Sequence, residues 1–306
     1  MHIRVTEQAI HRTQAFDEMA HIQLVSHTHA TMNLNGFLAD LATGTTQLGL
    51  HGVDSLGGVL ILIAFGIKCA FPLLHNWLQD AYPEATATGT VFLSAFTTKL
   101  AVYALARGFA GTELLIPIGV TMTAFPIFYA VIENDLRKVL AYSLNNQLGF
   151  MVVGIGIGSE MALNGTASHA FAHIIYKALL LMSAGSVLHM TGKRKCSDLG
   201  GLFQSMPITT LCGIIGALSI SSFPLTSGFV SKSMISQAAA DENLMIVWFL
   251  LTAASAGVFL HAGIKFPYFV FFNVDRGLRP KEAPTPMVTG TLRRSRCSNI
   301  QLRPHG

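Results

Sequence analysis

Long apolar runs separated by short polar connectors recur along the chain from about residue 56 to about residue 272. Seven such runs can be marked, at 56–78, 85–107, 114–133, 138–159, 162–190, 207–231 and 245–272. Each reaches the roughly 20 residues that a helix needs to cross the hydrocarbon of a bilayer. Unpaired backbone amides are costly in lipid, so only helices and closed barrels cross it, and these runs are too long and too continuously apolar for barrel strands. The pattern predicts an all-α, polytopic transmembrane helix bundle of about seven spans. Two spans carry an internal breaker. Pro72 lies four residues after Lys68 and, lacking an amide hydrogen, leaves the Lys68 carbonyl without its helical donor. Pro224 and Gly228 interrupt CGIIGALSISSFPLTSGFVSK just before Lys232. Two proline-broken helices are therefore expected; a kink that only improves helix contact is the alternative at either site, and two breaks beside two lysines favour an ion-lined cavity.

The flanks have another texture. Residues 1–55 form a His- and Thr-rich polar segment without a membrane-length run or a cleavable leader, and 281–306 form a polar, basic tail of the kind that stays disordered. The transmembrane domain is expected over 56–280. With 51% hydrophobic and 12% charged residues, the chain has half the charge of an average soluble domain, about 25%. The net charge of +4 is concentrated in connectors, at Arg137 and Lys138, at Lys193, Arg194 and Lys195, and at Arg276, Arg279 and Lys281. That makes it an orientation signal that places these connectors in the cytoplasm, and not a nucleic-acid footprint. Cys69, Cys196, Cys212 and Cys297 contain no CxxC pair, so neither a disulfide framework nor an iron–sulfur site is indicated. No cofactor motif is present.

Candidate chemistry rests on cations inside apolar helices. Lys68 in LILIAFGIKCAFPLLHNWL and Lys99 in ATGTVFLSAFTTKLAVYALAR each lie well within a run. A lysine at the centre of a span costs about 2.5–3.5 kcal/mol on insertion scales, so both should face the bundle interior and a partner or water. Burial eases proton release from an ammonium, which suits a relay; snorkelling or a structural ion pair is the plainer reading. In SHAFAHIIYKALLLMSAGSVLHM, His169, His173 and Lys177 recur every four residues and share one helix face. Two histidines at that spacing could hold a metal, yet HAFAH lacks the glutamate of a zinc hydrolase and no third ligand is evident. A hydrated proton relay fits the lysine in register better than a core histidine does. His75, Asp80 and Glu84 read as solvated groups at a span end.

At these residues the sequence resembles the antiporter-like proton-conducting membrane subunit family, which includes the D subunit of multisubunit monovalent-cation/proton antiporters and the large membrane subunits of respiratory complex I. The resemblance is carried in order by GIKCAFPLLHNWLQDAYPEA, LSAFTTKLAVYALAR, ENDLRKVLAYSLNNQLGFM, HAFAHIIYKALLLMSAGSV, DLGGLFQSMPITTLCGIIGALSISSFPLTSGFVSKS and HAGIKFPYFVFF, with wording closer to the antiporter than to complex I. It implies a chain of buried ionisable groups along a hydrated axis in the membrane plane. Lys68 matches the lysine of the first broken helix, Lys99 the connecting lysine, His169, His173 and Lys177 the central His/Lys helix, and Lys232 the lysine of the second broken helix. It further implies other membrane subunits as partners, protons and a monovalent cation as cargo, and the bacterial inner membrane as location. The proton-pumping subunit of an NADH:quinone oxidoreductase or a membrane-bound hydrogenase is the alternative, and a scaffold with merely structural charges a third reading. The family pairs its first lysine with an earlier buried glutamate that has no counterpart before Lys68, and it has more helices, so this chain is expected to be an internal fragment.

Overall fold

The computed structural model describes residues 56–284. The N-terminal segment before residue 56 and most of the basic tail lie outside the described residues. The helices are α1 (Leu56–Lys68), α2 (Asn76–Glu84), α3 (Ala87–Gly108), α4 (Leu115–Ile132), α5 (Leu136–Ile157), α6 (Glu160–Thr191), α7 (Pro207–Ile220), α8 (Ser227–Asp241) and α9 (Met245–Phe272). No strand occurs among the described residues. Of these helices, 4 are long and apolar enough to cross a membrane, namely α3, α4, α6 and α9, and α1 and α7 are shorter apolar helices.

The expected spans 56–78 and 207–231 are each two pieces. Both first halves end in the same way. Phe71 N donates to Gly66 O (2.9 Å) and Ala70 N to Ile67 O (3.1 Å); Phe223 N donates to Leu218 O (3.1 Å) and Ser222 N to Ser219 O (3.3 Å). This crossed pair of bonds closes a helix through one left-handed residue, here Ala70 (φ 61°) and Ser222 (φ 57°), where glycine is usual. A turn follows at each break, Leu74 N to Phe71 O and Thr226 N to Phe223 O. Pro72 and Pro224 occupy its second position, and Leu73 (φ 70°) and Leu225 (φ 71°) its third. The tripeptide Phe-Pro-Leu thus builds the same chain reversal twice. Each non-glycine left-handed residue costs about 1–2 kcal/mol, so the breaks are held by their surroundings. Gly228 lies outside the break itself: it sits in the first turn of α8, where a Cβ would come within 2.0 Å of Ser219 O, so its role is the close approach of the two half-helices.

Helix α5 runs through the middle, buried along nearly its whole length from Leu136 to Gly156. It meets α4 along a glycine seam. A Cβ at Gly149 would fall 2.6 Å from Thr123 N and one at Gly119 2.7 Å from Val153 N, so the two backbones touch, as small residues allow between membrane helices.

The connectors 79–86, 133–138 and 191–198 meet at one end of the bundle. Arg194 bridges Glu84 (2.9 Å) and Asp135 (2.8 Å), so Glu84 is an ion-paired group rather than a merely solvated one. Asp135 also caps α5 by accepting from Arg137 N (2.9 Å) and Lys138 N (3.3 Å). The buried Arg137 guanidinium donates to Pro83 O (2.7 Å), Ala85 O (2.8 Å), Thr86 O (3.3 Å) and Thr90 Oγ1. The segment after α9 joins the same end, with Val274 O packed on Gly200.

Candidate functional site

Helix α6 brings His169, His173 and Lys177 into the interior on one face, all essentially closed to solvent. Lys99 reaches the same region from α3, and Lys232 from α8; both are buried. Each of these lysines leans on a backbone irregularity. A π-helical stretch, Leu93–Thr97, widens α3 just before Lys99, whose Nζ donates to Ser94 O (2.7 Å) and Thr98 Oγ1 (3.3 Å). Lys232 Nζ donates to Ile220 O (2.8 Å), the last residue of α7, so the ammonium sits on the partly negative carbonyl end of a half-helix. The Phe150 ring lies beneath it at 5.1 Å. An ammonium has three donors, and neither lysine spends all of them on the described residues.

Lys177 Nζ, both ring nitrogens of His173 and Nε2 of His169 are buried without a hydrogen-bond partner among the described residues. Buried polar groups in native proteins are nearly always satisfied, and ordered water is the remaining source of partners here. The His169 and His173 rings are 6.1 Å apart between centroids, too far for a direct bond and suited to one bridging water. His169 Nδ1 lies 2.9 Å from Ser231 Oγ, which also lies 3.1 Å from Ser227 O. When the Ser231 hydroxyl donates to Ser227 O, His169 carries its hydrogen on Nδ1 and its Nε2 lone pair is open to a proton. Lys99 lies within electrostatic reach of His169, His173 and Lys177, and Lys232 within reach of both histidines, so the groups form one interacting set.

Lys68 belongs to the first broken helix. It is the last residue of α1, half-buried, with its ammonium 5.9 Å from the Trp77 ring centroid, and Trp77 Nε1 donates to Ile67 O (2.9 Å). Its chain neighbour Cys69 is a buried thiol in the field of Lys99. Any acidic partner before residue 56 lies outside the described residues. Pro72 and Pro224 sit in the two breaks. Among the described residues no group of three His, Cys, Asp or Glu could hold a metal.

Several interior groups were not singled out from the sequence. Asn145, Asn146 and Gln147 are fully buried on α5. Asn146 Nδ2 donates to Thr123 O (2.5 Å), Gln147 Nε2 to Asn146 Oδ1 (2.6 Å) and Tyr176 OH to Gln147 Oε1 (3.1 Å), a polar ladder ending beside His173, whose ring is 5.2 Å from that of Tyr176. The polar run SLNNQ inside an apolar helix was the available signal. His261 and Lys265 on α9 are the others.

A bundle of apolar helices, two of them broken, around a buried set of lysines and histidines is that of a polytopic membrane protein with an ionisable interior. The chain belongs to the NADH:quinone oxidoreductase/Mrp antiporter transmembrane family, whose model matches residues 20–259. It is 33% identical over 220 residues to the D subunit of the Na(+)/H(+) antiporter of Alkalihalophilus pseudofirmus, covering 68% of this chain and 44% of that protein. It is 36% identical over 206 residues to the N subunit of the NADH-quinone oxidoreductase of Desulforudis audaxviator, covering 64% of this chain and 41% of that protein. The chain thus spans less than half the length of these relatives. Its fold matches a chain of the Mrp complex from Dietzia sp. with a TM-score of 0.82 at 20% identity, over 97% of this chain and 65% of the other. It also matches a chain of the membrane-bound sulfane sulfur reductase, an archaeal respiratory membrane complex, with a TM-score of 0.81 at 27% identity, over 91% of this chain and 49% of the other.

Proposed function

We propose that this chain is a proton-translocating subunit of a multisubunit monovalent-cation (Na+)/H+ antiporter, in which protons pass between Lys99, His173, Lys177, His169 and Lys232, with Lys68 at the first broken helix as a further station. The observation that carries the reading is the buried set itself: amines and imidazoles from three helices, several without a protein partner, arranged so that each feels the charge of the next. A proton added to one station raises the cost of a proton on its neighbours, and that repulsion drives transfer along the row. The carbonyls of Ser94 and Ile220 hold the protonated forms of Lys99 and Lys232, and the open nitrogen of His169 receives between them. The 33% identity to the D subunit of an antiporter supports the antiporter setting. The 36% identity to the N subunit of an NADH-quinone oxidoreductase supports a second reading, a proton-pumping subunit of a complex I-like assembly, in which the same relay is driven by redox chemistry in other chains. On either reading the partners are other membrane subunits, and the location is the bacterial inner membrane with the Arg137 and Arg194 end in the cytoplasm.

The test is proton flux in vesicles bearing the assembly with Lys68→Ala or Lys232→Ala. Coupled transport should disappear while the chain remains inserted; wild-type flux in either variant would refute the relay. Co-purification separates the two settings: flavin and iron–sulfur subunits indicate the respiratory assembly, small hydrophobic subunits alone the antiporter.

A further inference from the structure

Between α4, α9 and the connector after α6, at the end where Arg194 lies, a cavity of about 490 Å³ opens, lined among others by Glu133, Asn134, Cys196, His261, Lys265 and Tyr268. At about 30 Å³ per molecule it has room for on the order of ten waters. Two of its titratable groups are committed. The Lys265 ammonium donates to Ala130 O (3.0 Å), Val131 O (2.7 Å) and Glu133 O (2.5 Å), which spends all three of its hydrogens on the C-terminus of α4. Glu133 Oε1 accepts from Asn134 N (2.8 Å) and Asp135 N (2.9 Å). His261 is different. It is fully buried, its Nδ1 lies 2.9 Å from Gly257 O, and its Nε2 is buried without a partner among the described residues. A carbonyl can only accept, so Nδ1 carries the hydrogen and Nε2 presents a lone pair. His261 sits in the π-helical stretch Phe259–Ile264, a local widening of α9 of the kind often found at functional sites. It lies within electrostatic reach of Lys177, Lys232 and Lys265.

We propose that this cavity is a water-filled side branch of the relay, with His261 as the station between the aqueous face and Lys177. A proton from cavity water adds to Nε2, giving an imidazolium that keeps its Nδ1 hydrogen bond to Gly257, and the same nitrogen then releases it through water toward Lys177; the reverse sequence lets protons out. This rests on the relay reading but is separately testable. Native Cys196 lines the cavity and serves as reporter. In sealed vesicles of each orientation, holding the full chain with its partner subunits and with Cys69, Cys212 and Cys297 replaced by serine, a charged trimethylammonioethyl methanethiosulfonate should modify Cys196. It should do so faster from the Arg194 side, and a His261→Cys, Cys196→Ser variant should show the same preference. No labelling, or equal labelling from both sides, would overturn the branch. His261→Gln should lower proton flux at least about tenfold, as loss of a proton-transfer group does. If that variant fails to insert, modification of Cys196 in the His261 protein should itself block flux. Flux that survives both changes, in a protein where Lys99→Ala abolishes it, removes the branch and leaves the relay; flux indifferent to Lys99→Ala removes the relay, whatever the labelling.

Discussion

The interior lysines differ in how the protein holds them, and that difference sets their expected behaviour. Lys232 rests on Ile220 O and the face of Phe150. Its replacement by methionine removes a burial cost while leaving an aliphatic chain of similar length, so Lys232→Met should leave the melting temperature in detergent unchanged or raised while transport is lost. A large drop in stability would make Lys232 a structural cap instead. Ser231→Ala deletes the hydroxyl partner of His169 Nδ1. Transport should fall less than for Lys232→Met, because the imidazole keeps both nitrogens and loses only its preferred orientation; equal losses would mean that Ser231 itself carries protons. The His169, His173 and Lys177 row was legible in the sequence because a four-residue period puts three titratable groups on one helix face. His261 was not legible: a lone histidine between apolar residues looks the same whether it is a satisfied core residue or a station, and only its open Nε2 beside a cavity distinguishes the two.

At the scale of elements, the breaks were legible from Pro72 and Pro224, and their detailed form was not. Proline reports a missing donor, but the left-handed residues are Ala70, Leu73, Ser222 and Leu225, none of which prefers that conformation. Ala70→Gly relieves the side-chain clash but adds freedom to the unfolded chain, so a gain of up to about 1 kcal/mol is expected in thermal or denaturant unfolding. A clear loss would show that Ala70 is held there by contacts of its Cβ. The π-helical stretches before Lys99 and around His261 left no sequence signal, because a bulge depends on how a helix is packed and not on its local residue preferences. The seam between α4 and α5 makes an opposite prediction. Gly149→Ala would put a methyl 2.6 Å from Thr123 N, and the required shift should cost about 1–3 kcal/mol, or insertion altogether. A neutral result would mean that the two helices can part without penalty.

For the molecule as a whole, the helical class and the grouping of basic connectors followed from hydropathy and charge, since lipid constrains backbone and loop composition strongly. That the connectors meet in a network of Arg194, Glu84, Asp135 and Arg137 could not be read in advance, because it depends on which helix ends are neighbours. Proton carriage by the buried lysines ties these parts together. Its most direct test is dye-reported proton uptake by vesicles containing the assembly with Lys99→Ala, set against Lys193→Ala at the exposed connector. Uptake should be lost in the first, with normal insertion, and unchanged in the second; normal uptake with Lys99→Ala would show that protons do not pass through the buried lysines.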